Sequence, residues 1–262
     1  MPAAAPAEAE AAVVARLRAA GCVFAEDEAR LLAAEAPTPA RLDELVRRRV
    51  AGEPLEHLLG WAEFCGLRIA VAPGVFVPRR RSELLVQEAT ALAPPRPVVV
   101  DLCCGSGAVA AALTAVLDEP EVHASDVDPA AVACARRNLP AGSVHTGDLF
   151  AALPPVLHGR VDVLVANVPY VPSDAVALMP SEARDHEPRA ALDGGGDGLD
   201  VARRVVAGAR AWLAPGGSLL FEVGEAQVPT ALRVLARAGF VPRVATDDEI
   251  GATVVVGTVT VS

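Results

Sequence analysis

Apolar and polar positions along the first fifty residues recur with a helical period. After Thr38-Pro39, an N-cap followed by proline at the first helical position, Leu42, Leu45, Val46 and Val50 share one face. Two earlier helices, over 7–20 and 27–36, complete a small bundle. The pattern then changes. Trp61-Ala62-Glu63-Phe64-Cys65, Gly66 and Leu67-Arg68-Ile69-Ala70-Val71 read as a short hairpin, closed by a turn at Pro73-Gly74. From Pro97 onward, short β-branched runs at 98–102, 122–126, 143–145, 161–166 and 218–223 alternate with helical stretches. That alternation predicts βαβ units and a mostly parallel sheet. The ending differs. The runs 240–245 and 253–260 are joined only by the polar segment 246–251, which predicts an antiparallel hairpin at a sheet edge. The expected organisation is a helical unit over 1–58, a β-hairpin connector over 59–78 and an α/β domain over 79–262.

Composition narrows the possibilities. A chain of 262 residues with 52% hydrophobic and 21% charged residues suits one sizeable α/β domain plus a small accessory one. No run approaches the roughly 18 apolar residues of a membrane span. The Ala-rich start carries Glu8 and Glu10 and no basic n-region, so a signal peptide is not expected and a cytoplasmic location is. Lys is absent and all 23 basic residues are Arg, a coding bias without mechanistic weight. The net charge of −10 argues against direct nucleic-acid binding, despite the runs Arg47-Arg48-Arg49 and Arg79-Arg80-Arg81. The five cysteines lack a CxxC spacing, so neither a disulfide framework nor a metal site is expected; they read as reduced, mostly buried thiols.

Candidate chemistry clusters after the strand runs. Asp101-Leu102-Cys103-Cys104-Gly105-Ser106-Gly107 follows the first of them and opens a helix, whose unpaired N–H groups face any ligand there. Gly105 and Gly107 allow a tight turn and close backbone approach. The same residues fit the G-x-G-x-x-A dinucleotide form, so this turn alone leaves a nicotinamide cofactor open. Asp126, at the tip of the second run, is placed to accept hydrogen bonds from ribose hydroxyls. Asp128 reads as the N-cap of the helix that Pro129 begins. Asp148 follows the third run, where it can accept from an adenine amino group with Leu149 packed on the ring. Doubly wound dehydrogenases usually lack the terminal hairpin, whereas class I methyltransferases usually have it.

Asn167-Val168-Pro169-Tyr170 ends the fourth run. Asn occurs only twice in the chain, and Tyr170 is its sole tyrosine. An amide nitrogen is a poor nucleophile because its lone pair is delocalised into the carbonyl. Two acceptors on its N–H groups orient it and favour pyramidalisation; the side-chain oxygen of Asn167 and the backbone carbonyl of Val168 can supply them, with Tyr170 stacking as a wall. The same acceptors can hold the exocyclic amine of a base.

From about Gly52 to Val256 the chain resembles the PrmC/HemK family of protein glutamine methyltransferases. The matching stretches are Gly52-Glu53-Pro54-Leu55 with Leu59-Gly60, Phe64-x-Gly66-Leu67, Val77-Pro78-Arg79 with Ser82-Glu83, Asp101 to Gly107 and Asn167 to Tyr170. They continue through Glu187 to Leu192, Gly195-x-Asp197-Gly198-Leu199 and Pro215-Gly216-Gly217. The resemblance implies a class I, Rossmann-like α/β fold with a mostly parallel seven-stranded sheet and an antiparallel terminal hairpin. It implies S-adenosyl-L-methionine as cofactor, contacted by Gly105, Gly107, Asp126 and Asp148, and a glutamine amide held by Asn167 and the Val168 carbonyl. It also implies a protein substrate, a peptide-chain release factor or a ribosomal protein, recognised by the N-terminal helices. Three departures stand out: Val168 where the family has proline, Arg80-Arg81-Ser82 where it has proline-acid-threonine, and Cys103-Cys104 where it has a glycine before the first motif glycine. Pro169 still biases Val168 to an extended backbone.

Overall fold

The computed structural model describes residues 6–140 and 143–260. The ends of the expected helical unit (1–5) and of the expected terminal domain (261–262) lie outside the described residues.

Helices α1 (Pro6–Ala19), α2 (Ala25–Glu35) and α3 (Pro39–Val50) form the bundle, with the short α4 (Leu55–Leu59) closing it. Leu17, Leu32, Leu45, Val46 and Leu58 make its core. Thr38 caps α3, its Oγ accepting the Arg41 N–H at 3.2 Å, with Pro39 in the first turn. At five residues, α4 is too short to show a period in the sequence. One buried cation ties this bundle to the rest of the chain. Arg49, 7% exposed, donates to Glu28 at 2.6 and 3.2 Å and to Glu182 at 2.5 Å.

β1 (Trp61–Phe64) and β2 (Leu67–Ala70) pair antiparallel as the expected hairpin. Next come α5 (Glu83–Leu92), β3 (Val98–Leu102), α6 (Ala108–Val116), β4 (Glu121–Asp126), α7 (Pro129–Ala135), β5 (Val144–Thr146) and β6 (Val161–Ala166). The chain continues through α8 (Ser181–His186), α9 (Arg189–Leu192), α10 (Asp200–Ala209), β7 (Leu213–Glu222), α11 (Val228–Arg237), β8 (Val241–Asp247) and β9 (Ala252–Thr258). The seven strands lie in the order β5-β4-β3-β6-β7-β9-β8. All pairs from β5 to β7 are parallel, while β9 runs antiparallel to both β7 and β8. Alternating side chains of β3 serve the two faces: Val99 belongs to the core that holds Leu85, Leu113 and Val163, whereas Val100 belongs to the one that holds Leu164, Val205 and Leu235. Burial on both faces is why the parallel strands read as near-continuous apolar runs.

Strand order reverses between β4 and β6 around β3, so the loops leaving the carboxyl ends of β3 and β6 diverge and open a crevice. Two expectations need correction. β7 begins at Leu213, not at 218: Leu213 already pairs with Val161, and a register shift carries Pro215-Gly216-Gly217 inside the strand. Of the five unpaired thiols only Cys104 and Cys134 are buried; Cys22, Cys65 and Cys103 are half-buried, because each sits in a turn or loop rather than on a core face.

Candidate active site

At the carboxyl ends of β3, β4 and β6 lies a cavity of about 210 Å³. Asp101, Cys103, Cys104, Gly105 and Ser106 form one wall, with Asp126 beside them. The turn that makes this wall needs left-handed backbone: φ is 57° at Cys103, 55° at Gly105 and 76° at Gly107. A glycine would meet that demand at no steric cost; Cys103 meets it against roughly 1 kcal/mol of backbone preference. Asp126 accepts the Gly105 and Asp128 N–H groups, each at 2.9 Å, which clamps the turn to the tip of β4. Asp101 accepts the Ala110 N–H of α6 at 3.1 Å.

Burial, reinforced by the neighbouring Asp126 charge, pushes the Asp101 carboxyl up to about 7 against the pull of the Ala110 N–H. Burial likewise raises Asp126 above the usual carboxylate range, opposed by its two N–H partners. A wall holding two acids short of counter-charge, beside a turn that Gly105 leaves open to close approach, fits a ligand that brings both positive charge and hydroxyl groups.

Not every candidate of the sequence reaches the cavity. Gly107 faces away: a Cβ there would meet Leu139 Cδ1 at 3.0 Å and Ala135 Cβ at 3.1 Å, so it lets α6 pack on α7. Asp128 does line the cavity, but its side chain is engaged in capping α7, accepting the Ala130 N–H at 2.8 Å. Asp148 pairs with Arg204 at 2.5 Å on the surface, and the Leu149 side chain is buried among the β6 and β7 face residues.

Asn167, Val168, Pro169 and Tyr170 form the opposite wall, directly after β6. Asn167 Nδ2 donates to Ser82 Oγ at 3.0 Å, and that hydroxyl donates to Glu222 Oε2 at 2.7 Å. Tyr170 donates to the other oxygen of the same carboxylate at 2.6 Å and accepts from Arg81 at 3.3 Å. Burial and the Glu222 charge hold the Tyr170 phenol well above its ordinary value, so it stays a donor. Gln227 Nε2 donates to the Tyr170 and Asp197 carbonyls, each at 2.8 Å. The loop around Gly194 and Gly198 lies flat against this wall. A Cβ on Gly194 would fall 2.6 Å from the Pro169 carbonyl oxygen, and one on Gly198, at φ 77°, 2.2 Å from that of Tyr170.

Met179 and the stretch from Pro188 to Leu192 complete the cavity, and Glu187 fixes that stretch to the connector by accepting Val77 N–H at 3.1 Å and the Arg79 guanidinium at 2.6 Å. Glu222 and Gln227 escaped the motif reading, and Ser82 and Glu187 entered it only as parts of matching stretches with no role, because each lies far along the chain from the loop it supports. The only local signal was a charged residue ending the apolar run Leu219-Leu220-Phe221.

A family model described as the methyltransferase small domain matches residues 66–197. The chain is 41% identical to the release factor glutamine methyltransferase of Geobacter sulfurreducens over 81% of its own length and 75% of that protein. It is 38% identical to the 4-amino-L-phenylalanine/4-methylamino-L-phenylalanine methyltransferase of Streptomyces pristinaespiralis, covering 77% of this chain and 72% of that one. Among solved structures, a methyltransferase from Pyrococcus furiosus shares the fold with a TM-score of 0.57 at 16% identity, covering 74% of this chain and 90% of that one. Strand order, the glycine turn and the Asn167–Tyr170 loop agree with these relationships: the chain is an S-adenosyl-L-methionine-dependent class I methyltransferase and belongs to the release factor glutamine methyltransferase (PrmC/HemK) family.

Proposed function

We propose that this enzyme methylates the side-chain amide nitrogen of a glutamine in a peptide-chain release factor. One observation carries the reading. Asn167 is held by its Nδ2, while its Oδ1 and the Val168 carbonyl accept no hydrogen bond from any described residue. Both stand beside the cavity as acceptors for the two N–H groups of a planar amide. Orienting that nitrogen is most of the task, because S-adenosyl-L-methionine, when bound, presents a methyl group on an excellent leaving group. Gly105, Ser106 and Asp126, with Asp101, Cys103 and Cys104 around them, hold this donor. Asp148 and Leu149 join the set once Asp148 exchanges Arg204 for the ligand. Tyr170 walls the acceptor, and Pro169 keeps Val168 extended. The N-terminal helices, tied to α8 through Arg49 and Glu182, recognise the release factor.

A second reading is favoured by Arg81, half-exposed at the cavity mouth, and by the Streptomyces relative. The aryl amine of a small amino acid, like an amide, carries two N–H groups on a conjugated nitrogen, and a guanidinium suits its carboxylate. Labelled S-adenosylmethionine incubated with purified release factors, ribosomal proteins, RNA and 4-amino-L-phenylalanine distinguishes the cases. Label is expected in a glutamine of a release factor; label in the free amino acid or RNA, sparing every protein, overturns the assignment.

A further inference from the structure

The Asn167 wall contains one group that touches neither cofactor nor acceptor yet determines how both ends of the loop are presented. We infer that Glu222 is a positioning residue that sets the direction of the hydrogen bonds made by the Asn167 amide and the Tyr170 phenol on the acceptor wall. The inference rests on the reading of Asn167 as the residue that holds the acceptor.

The logic is one of counting protons. Glu222 is 2% exposed at the end of β7, and as a carboxylate it can only accept. Its two oxygens receive Ser82 Oγ at 2.7 Å and Tyr170 OH at 2.6 Å. Ser82 has a single hydroxyl proton, and that proton goes to Glu222. Towards Asn167, 3.0 Å away, Ser82 can therefore only accept. Asn167 must turn its NH2 to Ser82, which leaves Oδ1 facing the opposite side. A flipped amide would set Oδ1 against a Ser82 lone pair, an unmade bond in a buried place that costs about 1–3 kcal/mol. One carboxylate thus fixes the amide at the start of the loop and the phenol at its end. Ser82 stands where the family carries threonine, so the hydroxyl is retained although its flanking residues Arg80 and Arg81 differ.

Asn167 and Asn138 are the only asparagines in the chain, so selective 15N-asparagine labelling resolves the relevant side chain directly. Asn138 is an internal control, because its Nδ2 donates to the Ala70 and Ser106 carbonyls at 2.9 and 2.8 Å, outside this network. In Ser82→Ala and Glu222→Gln proteins the Asn167 NH2 signals should shift and lose protection from solvent exchange, while those of Asn138 stay in place. Turnover should fall about tenfold or more in both, with cofactor affinity within about threefold, and Ser82→Thr should keep turnover within about threefold. Asn167 signals that do not move, or equal losses in Ser82→Thr and Ser82→Ala, overturn the inference. Should Glu222→Gln displace Asn138 as well, the pair of Ser82 variants decides. The spectra need no substrate, so a wrong glutamine assignment would leave this result standing.

Discussion

The two walls of the cavity are built by different means. On the β3–β4 side the parts are backbone and short-range: glycine-like turns, and Asp126 reaching N–H groups 2 and 21 residues away. On the β6 side the parts are side chains drawn from across the chain. Asn167 leans on a residue 85 positions away, which leans on another 140 away, and Tyr170 reaches 52 positions to the same carboxylate. The first wall is a property of one supersecondary unit; the second exists only once the whole sheet has assembled. Binding a cofactor common to many reactions needs the former, and choosing one acceptor needs the latter.

The comparison can be broken at its most sensitive point with Asn167→Ala. Transfer should fall by about 10²–10³, the usual result of removing one oriented polar group from a reacting centre, with cofactor affinity within a few-fold by calorimetry. A parallel loss of cofactor binding would show that the two walls are not separable. Gly198→Ala forces a side chain against the Tyr170 carbonyl from a left-handed backbone, so denaturant unfolding should report a loss of about 2–4 kcal/mol. Turnover should suffer more than cofactor affinity, because the displaced strip supports only the acceptor wall. Asp126→Ala should do the reverse, weakening cofactor binding by about tenfold to a hundredfold while leaving turnover at saturating cofactor little changed. Unchanged affinity would move the ribose contact to another acid such as Asp128. Smallest of all, Asp148→Asn breaks an ion pair whose two partners are each 56% exposed, and should cost under about 0.5 kcal/mol of stability. A tenfold loss of cofactor affinity in that variant would show that Asp148 leaves Arg204 to meet the ligand.

The same contrast explains what was legible beforehand. The period-two hairpin, the alternating strands and the antiparallel ending could be read because each is a local pattern. The turn from Asp101 to Gly107 and the Asn167–Tyr170 loop could be read because their chemistry is contiguous. The supporting roles of Ser82, Glu222 and Gln227 could not, although Ser82 lay within a matching stretch, since nothing local separates a supporting hydroxyl, carboxylate or amide from a surface one; only strand order brings β7 beside β6. The start of β7 was missed for a related reason: Pro215-Gly216-Gly217 looks like a turn until Val161 is known to pair with Leu213. The short helices α4, α8 and α9 carry too few residues for any period to emerge.

The guanidinium of Arg49 has a bearing on how this protein can be taken apart. It bridges Glu28 of the helical bundle and Glu182 of α8, from a place that water barely reaches. A fragment cut to begin at the β1–β2 hairpin would remove the cation that anchors the start of α8. Such a piece keeps its glycine turn and its sheet, but the stretch that walls the acceptor side of the cavity loses a tether at one end. Trimming the chain to its apparent catalytic minimum therefore discards part of the enclosure along with the helices.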